Sequence, residues 1–229
     1  MIKQGMQGNV WTRHGFENLL LWLFLYLVIG PFLQPVPYAF TIMRLLLSAA
    51  LFSAAYTINK GNRIFWVSIV LLFLTLVPLW MNTLGLTKFP AVSITLLLIL
   101  YLFTLVYSFS IFVFTVRNIT WNVLCAALCL YMIVGLLWGS LFTLVETLAP
   151  GSFVGALMSD ASNPEEKAHY LNYFSFITLT TLGYGDITPQ TWGAAALCRA
   201  EAMIGHFFTV VLVARLVGLH IVQDINKEE

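Results

Sequence analysis

Charge is what this sequence lacks. Only 9% of its 229 residues are Asp, Glu, Lys or Arg, against about 25% in soluble domains. So few charges cannot solvate a water-facing surface. With 60% hydrophobic residues and a mean hydropathy of +0.88, the chain is expected to be an integral membrane protein. A net charge of +1 supplies no basic surface for nucleic acid. The three cysteines, Cys125, Cys129 and Cys198, all fall in apolar stretches, which excludes a disulfide framework. Cys125 and Cys129 stand one helical turn apart, too few ligands for a metal. No nucleophile–base set rises above background, so an enzyme is not expected. No internal repeat is present, which disfavours a gradient-coupled transporter built from repeated halves.

What remains is long apolar runs. A bilayer-spanning helix takes about 20 residues, and six stretches qualify, near 17–33, 38–58, 64–84, 90–115, 121–147 and 191–222. The fold class expected is all-α, with about six transmembrane helices. The first run is read as a span and not a signal peptide. No small-residue cleavage site follows it cleanly, and Pro31, Pro35 and Pro37 suit a tight turn into the second span. With a cytoplasmic N-terminus, Lys3, Arg13, Lys60, Arg63, Arg117 and Lys227 all fall inside, and only Lys88 and Lys167 fall in outside loops. That bias obeys the positive-inside rule and puts both termini in the cytoplasm. A plasma (inner) membrane location is the expectation. The sequon Asn118-Ile119-Thr120 then lies on the cytoplasmic side, out of reach of glycosylation. Trp66, Trp80, Trp121 and Trp192 stand near span ends, where indoles anchor at headgroup level. Only Gln223–Glu229 follow Val222, so no cytosolic ligand-binding domain is expected.

Between the last two spans lies Thr180-Thr181-Leu182-Gly183-Tyr184-Gly185-Asp186. Stripping water from a cation is costly, so many oxygens must replace it together. Successive carbonyls converge only if the backbone alternates hand, and Gly183 and Gly185 can take left-handed φ without a Cβ penalty. Thr181 can add a hydroxyl oxygen at the inner end, and Tyr184 can pack outward as a strut. The string resembles the TVGYG selectivity filter of the tetrameric potassium channel family, with Leu182 in place of Val. The resemblance covers residues 121–222. It implies a homotetramer, three identical subunits completing the ring, with K+ as permeant ion held by Thr181, Leu182, Gly183, Tyr184 and Gly185. Thr180, Asp186, Tyr173 and Phe174 are the supporting residues it implies. Residues 1–118 are then an N-terminal four-helix module and 119–229 a pore domain of outer helix, turret, re-entrant pore helix, filter and inner helix.

Several residues in this pore domain carry local expectations. Asn163-Pro164-Glu165-Glu166 reads as a helix start, expected to open a short extracellular helix ahead of a re-entrant helix over about 170–180. Aromatic residues Tyr170, Tyr173, Phe174 and Phe176 would form a collar behind the filter. Asp186 at the outer mouth could concentrate cations, stand as a solvated loop acid or, as the resemblance implies, brace the filter. Gly205 resembles a gating hinge, or it lets the re-entrant helix approach closely. Gly135 and Gly139 are spaced as a close-packing face, expected against the inner helix. Intramembrane charges are functional hypotheses. Glu146, Arg199 and Glu201 are expected to form a salt-bridged cluster, within one subunit or across subunits, Arg215 to snorkel to the headgroups, and His206 to be buried and neutral.

The first four spans occupy the place of a voltage sensor but lack its arginine ladder. The stretch 91–115 has no charged residue, and the second span has only Arg44, whose partner the sequence does not reveal. The function expected is a potassium-selective channel subunit without a standard voltage sensor or cytosolic ligand domain. The alternatives are a weakly selective cation channel, against which the intact Gly-Tyr-Gly argues, and a non-conducting regulatory membrane subunit.

Overall fold

A computed structural model describes residues 15–33, 38–58, 63–116, 118, 120–161 and 163–228, with side chains described as far as 218. Lys3, Arg13, Pro35, Pro37, Lys60, Arg117, Ile119 of the sequon and the side chain of Lys227 lie outside the described residues.

The elements follow the apolar runs. Helix α1 (Gly15–Phe24) widens into a π-turn (Leu25–Ile29) and ends in a 3-10 turn (Gly30–Leu33). Pro31 explains the change of pitch. In a regular α-helix its ring would strike the carbonyl four residues earlier, and the wider turn, closed by Gly30 N–H on the Leu25 carbonyl, relieves that clash. Helices α2 (Ala39–Thr57), α3 (Arg63–Thr83), α4 (Ala91–Thr115) and α5 (Trp121–Leu148) follow. Beyond α5 come a two-residue strand β1 (Phe153–Val154), a short helix α6 (Ala156–Asp160), α7 (Pro164–Leu179), β2 (Thr188–Pro189) and the long α8 (Trp192–Glu228). Among the described residues, six segments, 15–33, α2 to α5 and the first 27 residues of α8, are long and apolar enough to cross a membrane. The chain is a multi-pass membrane protein whose spans are helical.

Helix α5 is the hub. In its most apolar stretch 78% of residues are buried, because α1, α4 and α7 all pack on it. Cys125 and Cys129 are buried there as free thiols, the Cys129 thiol donating to the Phe16 carbonyl at 3.4 Å. Helix α4 buries Tyr101, Leu105, Phe109 and Val113, one residue per turn. Its opposite face leaves Phe103, Tyr107 and Phe114 exposed, a stripe suited to lipid. The Tyr101 hydroxyl donates to the Leu51 carbonyl at 2.5 Å, tying α4 to α2 with its polar atom satisfied.

A second core sits at the end of the molecule that carries β1 and β2. Phe142, Phe153 and Phe174 meet with ring centroids 5.2 to 5.7 Å apart, with Leu171, Ile187 and Ala194 around them. The strands pair antiparallel, Phe153 opposite Pro189. This small core fixes where the chain leaves and re-enters the loop at 180–186.

Candidate ion-conducting site

The site begins with a helix start. Asn163 Oδ1 accepts from the N–H groups of Glu165 at 3.1 Å and Glu166 at 2.9 Å, satisfying donors that the first turn leaves free. Pro164 takes the first helical position, and two acids lie in the first turn. The helix so opened does not stop in the turret. It runs without a break to Leu179 as one 16-residue element, which corrects the expected pair of helices. No Gly or Pro after Pro164 interrupts it, and the separate turret helix is α6, upstream. At 1.5 Å per residue α7 is about 24 Å long, short of the roughly 30 Å hydrocarbon core.

Its C-terminus makes the loop. Thr181 N–H bonds the Thr178 carbonyl at 2.9 Å and Leu182 N–H the Ile177 carbonyl at 2.9 Å. This 5→2 and 6→1 pair is a Schellman closure, which requires a left-handed residue just past the helix. That residue is Thr181, at φ 59°. A β-branched residue there is a genuine outlier, and no sequence signal points to it. Gly183 and Gly185 follow at φ 56° and 75°. Left-handed backbone thus recurs at every second residue, twice at the expected glycines and once at an unexpected threonine. Gly183 N–H also turns back to Ile177 O, at 3.3 Å. In a trans peptide the carbonyl points opposite to the next N–H. The carbonyls of Thr180, Thr181 and Leu182 therefore face away from α7. Leu182 and Tyr184 are exposed in the single chain.

The loop is braced from behind. Tyr173 on α7 donates its hydroxyl to Asp186 Oδ2 at 2.7 Å, and Asp186 Oδ1 accepts from Ile187 N–H at 3.1 Å. Asp186 is therefore bonded in place and is not a free solvated acid. A phenol ordinarily titrates at about 10, so Tyr173 is a donor at physiological pH. Gly155 of the turret packs directly on the Asp186 carbonyl, where a Cβ would not fit. We expect Tyr173→Phe to cost about 1 kcal/mol of thermal stability. Adding Asp186→Asn should cost little more, and additive losses in a double-mutant cycle would show that the two groups act separately.

Three helices meet behind the loop. A Cβ on Gly135 would lie 2.6 Å from the Phe176 ring, and one on Gly139 would lie 2.8 Å from Asn172 Cα. The small-residue face of α5 therefore receives α7, which corrects the expectation that it packs on the inner helix α8. A Cβ on Gly205 of α8 would collide with the Leu179 carbonyl oxygen, so Gly205 is a point of close approach. Ser175 Oγ lies 2.7 Å from the Gly135 carbonyl and 2.5 Å from Glu201 Oε1.

Within the single chain, the expected cluster of Glu146, Arg199 and Glu201 does not form. Glu146 accepts from Gly151 N–H at 3.0 Å and Phe153 N–H at 3.1 Å, folding the start of the turret. Glu201 is wholly buried against Ser175, and Arg199 is exposed on α8. Residues 199 and 201, two apart, point to different sides of a helix. Two further expectations change. His206 is exposed in the single chain, not buried. Arg215 donates to the Val113 carbonyl and, at 2.7 Å, to that of Val116, closing the C-terminal end of α4 where positive charge is favoured, instead of reaching for headgroups. Arg44, whose partner the sequence did not reveal, bonds Thr83 and pairs with Glu165 of α7.

Comparison with known proteins places this architecture. A family model described as "Ion channel" matches residues 122–219, from the start of α5 through the loop into α8. The chain is 34% identical over 74 residues to "Potassium channel protein kcv" of Paramecium bursaria Chlorella virus 1, covering 31% of this chain and 76% of the viral protein. The chain belongs to the potassium channel family. Over 75 residues it is 32% identical to the voltage-gated potassium channel KCNC1 of Mus musculus, covering 29% of this chain but 14% of that one. It is 33% identical over 69 residues to "Two pore potassium channel c" of Oryza sativa subsp. japonica, covering 30% and 14%. The likeness to these two larger potassium channels is thus confined to a small part of each. No solved structure matches the chain. Membership of a channel family also fits the expectation that the protein is not an enzyme.

Proposed function

We propose that this chain is a potassium-selective channel subunit, that four copies surround one pore, and that Thr181–Gly185 is the selectivity filter. The observation carrying this is the loop itself: left-handed backbone at alternate residues, with carbonyls facing away from a helix too short to cross the bilayer. Such carbonyls replace the hydration shell of a cation, and repulsion between neighbouring ions keeps binding from becoming a trap. In this reading α7 is the re-entrant pore helix and directs the partial negative charge of its C-terminus toward the ion. Thr181, Leu182, Gly183 and Tyr184 act through their backbone oxygens, and Asp186 and Tyr173 hold the ring's width.

One chain supplies one loop, and a closed ring needs four. Helix α8 supports the assembly. Only 11% of its most apolar stretch is buried within the chain, leaving Phe207, Val210 and Val211 exposed for neighbouring subunits and the pore. Helix α4 carries no charged residue. Moving one charge through the membrane field is worth about 2.3 kcal/mol per 100 mV, so this helix offers no steep voltage response. The charge bias of the loops supports cytoplasmic termini in a plasma membrane.

The test is the reversal potential of the purified protein in a planar bilayer, with potassium on one side and sodium on the other. A value close to the potassium equilibrium potential is expected, and Tyr184→Asp should move it toward zero. A wild-type reversal near zero would overturn selectivity. Chemical cross-linking in detergent should stop at four copies, and a dominant monomer or dimer would overturn the ring.

A further inference from the structure

The junction of α5, α7 and α8 contains one hydroxyl between two oxygen acceptors. Ser175 Oγ approaches the Gly135 carbonyl at 2.7 Å and Glu201 Oε1 at 2.5 Å. Serine has a single proton to donate. The Gly135 carbonyl can only accept, so the Ser175 proton belongs on that bond. The second contact, shorter still, then needs a proton of its own, and only the Glu201 carboxyl can supply it.

Burial points the same way. Glu201 is 0% exposed, and its other oxygen, Oε2, has no hydrogen-bond partner among the described residues. A carboxylate so placed would be an unpaired buried charge, whose cost far exceeds that of a neutral acid with one unsatisfied carbonyl oxygen. The charged and titratable groups around it do not offset that cost. Tyr131 of α5 and Cys198 of α8 lie within electrostatic range and carry no positive charge. Arg199 is exposed on another side of α8. Helix α7 offers the Ser175 hydroxyl.

We infer that Glu201 is a neutral carboxylic acid that donates to Ser175, forming a relay from α8 through α7 to α5 that positions the end of α7. Ser175 lies one turn before Leu179, on whose carbonyl Gly205 rests, and Glu201 lies one turn before Gly205. The two contacts stack along the same helix pair, and the loop that carries the filter begins at the next residue, Thr180. The proton thus sets the spacing of pore helix and inner helix directly behind the filter. This assignment rests on the reading of α7 and its loop as pore helix and filter. Its core, the proton, is independent of conduction.

Infrared spectroscopy of the purified full-length protein separates the two. The carbonyl stretch of a protonated carboxylic acid is distinct from carboxylate bands. A protonated-acid band present at neutral pH should vanish in Glu201→Gln, and a band unchanged by that substitution would overturn the inference. The Gln side chain keeps a donor for Ser175 but cannot ionise. Its potassium current is expected within about twofold of wild type, whereas Glu201→Ala, which strands Ser175, should lose about tenfold. Wild-type current should decline at alkaline pH as Glu201 loses its proton, and Glu201→Gln should be flat over the same range. If Glu201→Gln followed the wild-type decline, the relay would be refuted. If wild type carried no selective current while the band vanished in Glu201→Gln, the channel reading would fail and the proton would stand.

Discussion

Gly183→Ala is expected to abolish potassium current while leaving the subunit folded and assembled. Gly183 sits at φ 56°, and within the chain a Cβ built there meets nothing within 4 Å. The penalty is therefore in the backbone alone. Left-handed backbone costs an L-residue about 1–2 kcal/mol, so four copies acting on one ring would lose roughly 4–8 kcal/mol. Even the lower figure is about a thousandfold in the population of the conducting arrangement. The neighbouring residues cannot absorb it, because the Leu182 and Gly183 N–H groups are already committed to the Ile177 carbonyl. Current from bilayers, normalised to tetramer recovered from a sizing column, measures the effect. Wild-type current from the variant would show that the alternation of backbone hand is dispensable and would remove the filter assignment.

Gly205→Ala decides between hinge and contact by the sign of a stability change. In a helix interior Ala is favoured over Gly by about 1 kcal/mol, so a glycine kept only for bending would yield a more stable protein on substitution. The geometry requires the reverse. The new Cβ would fall on the Leu179 carbonyl oxygen and lie 2.8 Å from Leu179 Cδ1. A backbone oxygen at the end of a helix cannot rotate away, and overpacking of this kind costs about 1–3 kcal/mol. We expect a lower thermal midpoint and reduced current, since the displaced residue directly precedes Thr180. A raised midpoint with altered open probability would restore the hinge.

These two glycines also show how differently the parts of the protein could be read in advance. Gly183 was legible because its conformation follows from local chemistry: the full string Thr180–Asp186 has few other uses in a membrane chain. The glycines of the α5 face were legible as a packing surface, but which helix they receive was not. Spacing along one helix reveals a stripe, while the partner is chosen by how all helices share the available area. The helix start at Asn163 was legible from capping chemistry, and the length of α7 was misjudged because nothing local says how far a helix continues. Thr181 was illegible as a left-handed residue. Its intrinsic preference opposes that conformation, and only the closure onto the Ile177 and Thr178 carbonyls imposes it.

Membrane residence, the six apolar segments and the left-handed glycines of the loop between the last two were determined by the sequence alone. The physical reason is that each depends on properties of contiguous residues: transfer of about 20 apolar side chains from water, and backbone freedom at glycine. The fate of every intramembrane charge was decided only by the tertiary structure. Arg215 finds carbonyls 102 and 99 residues away, Arg44 pairs 121 residues away with Glu165, and Glu201 meets Ser175 instead of the arginine two residues before it. In a low-dielectric interior a polar group must take whatever partner the packing brings within hydrogen-bonding reach. That partner is set by how the helices cross, which no stretch of the chain encodes by itself.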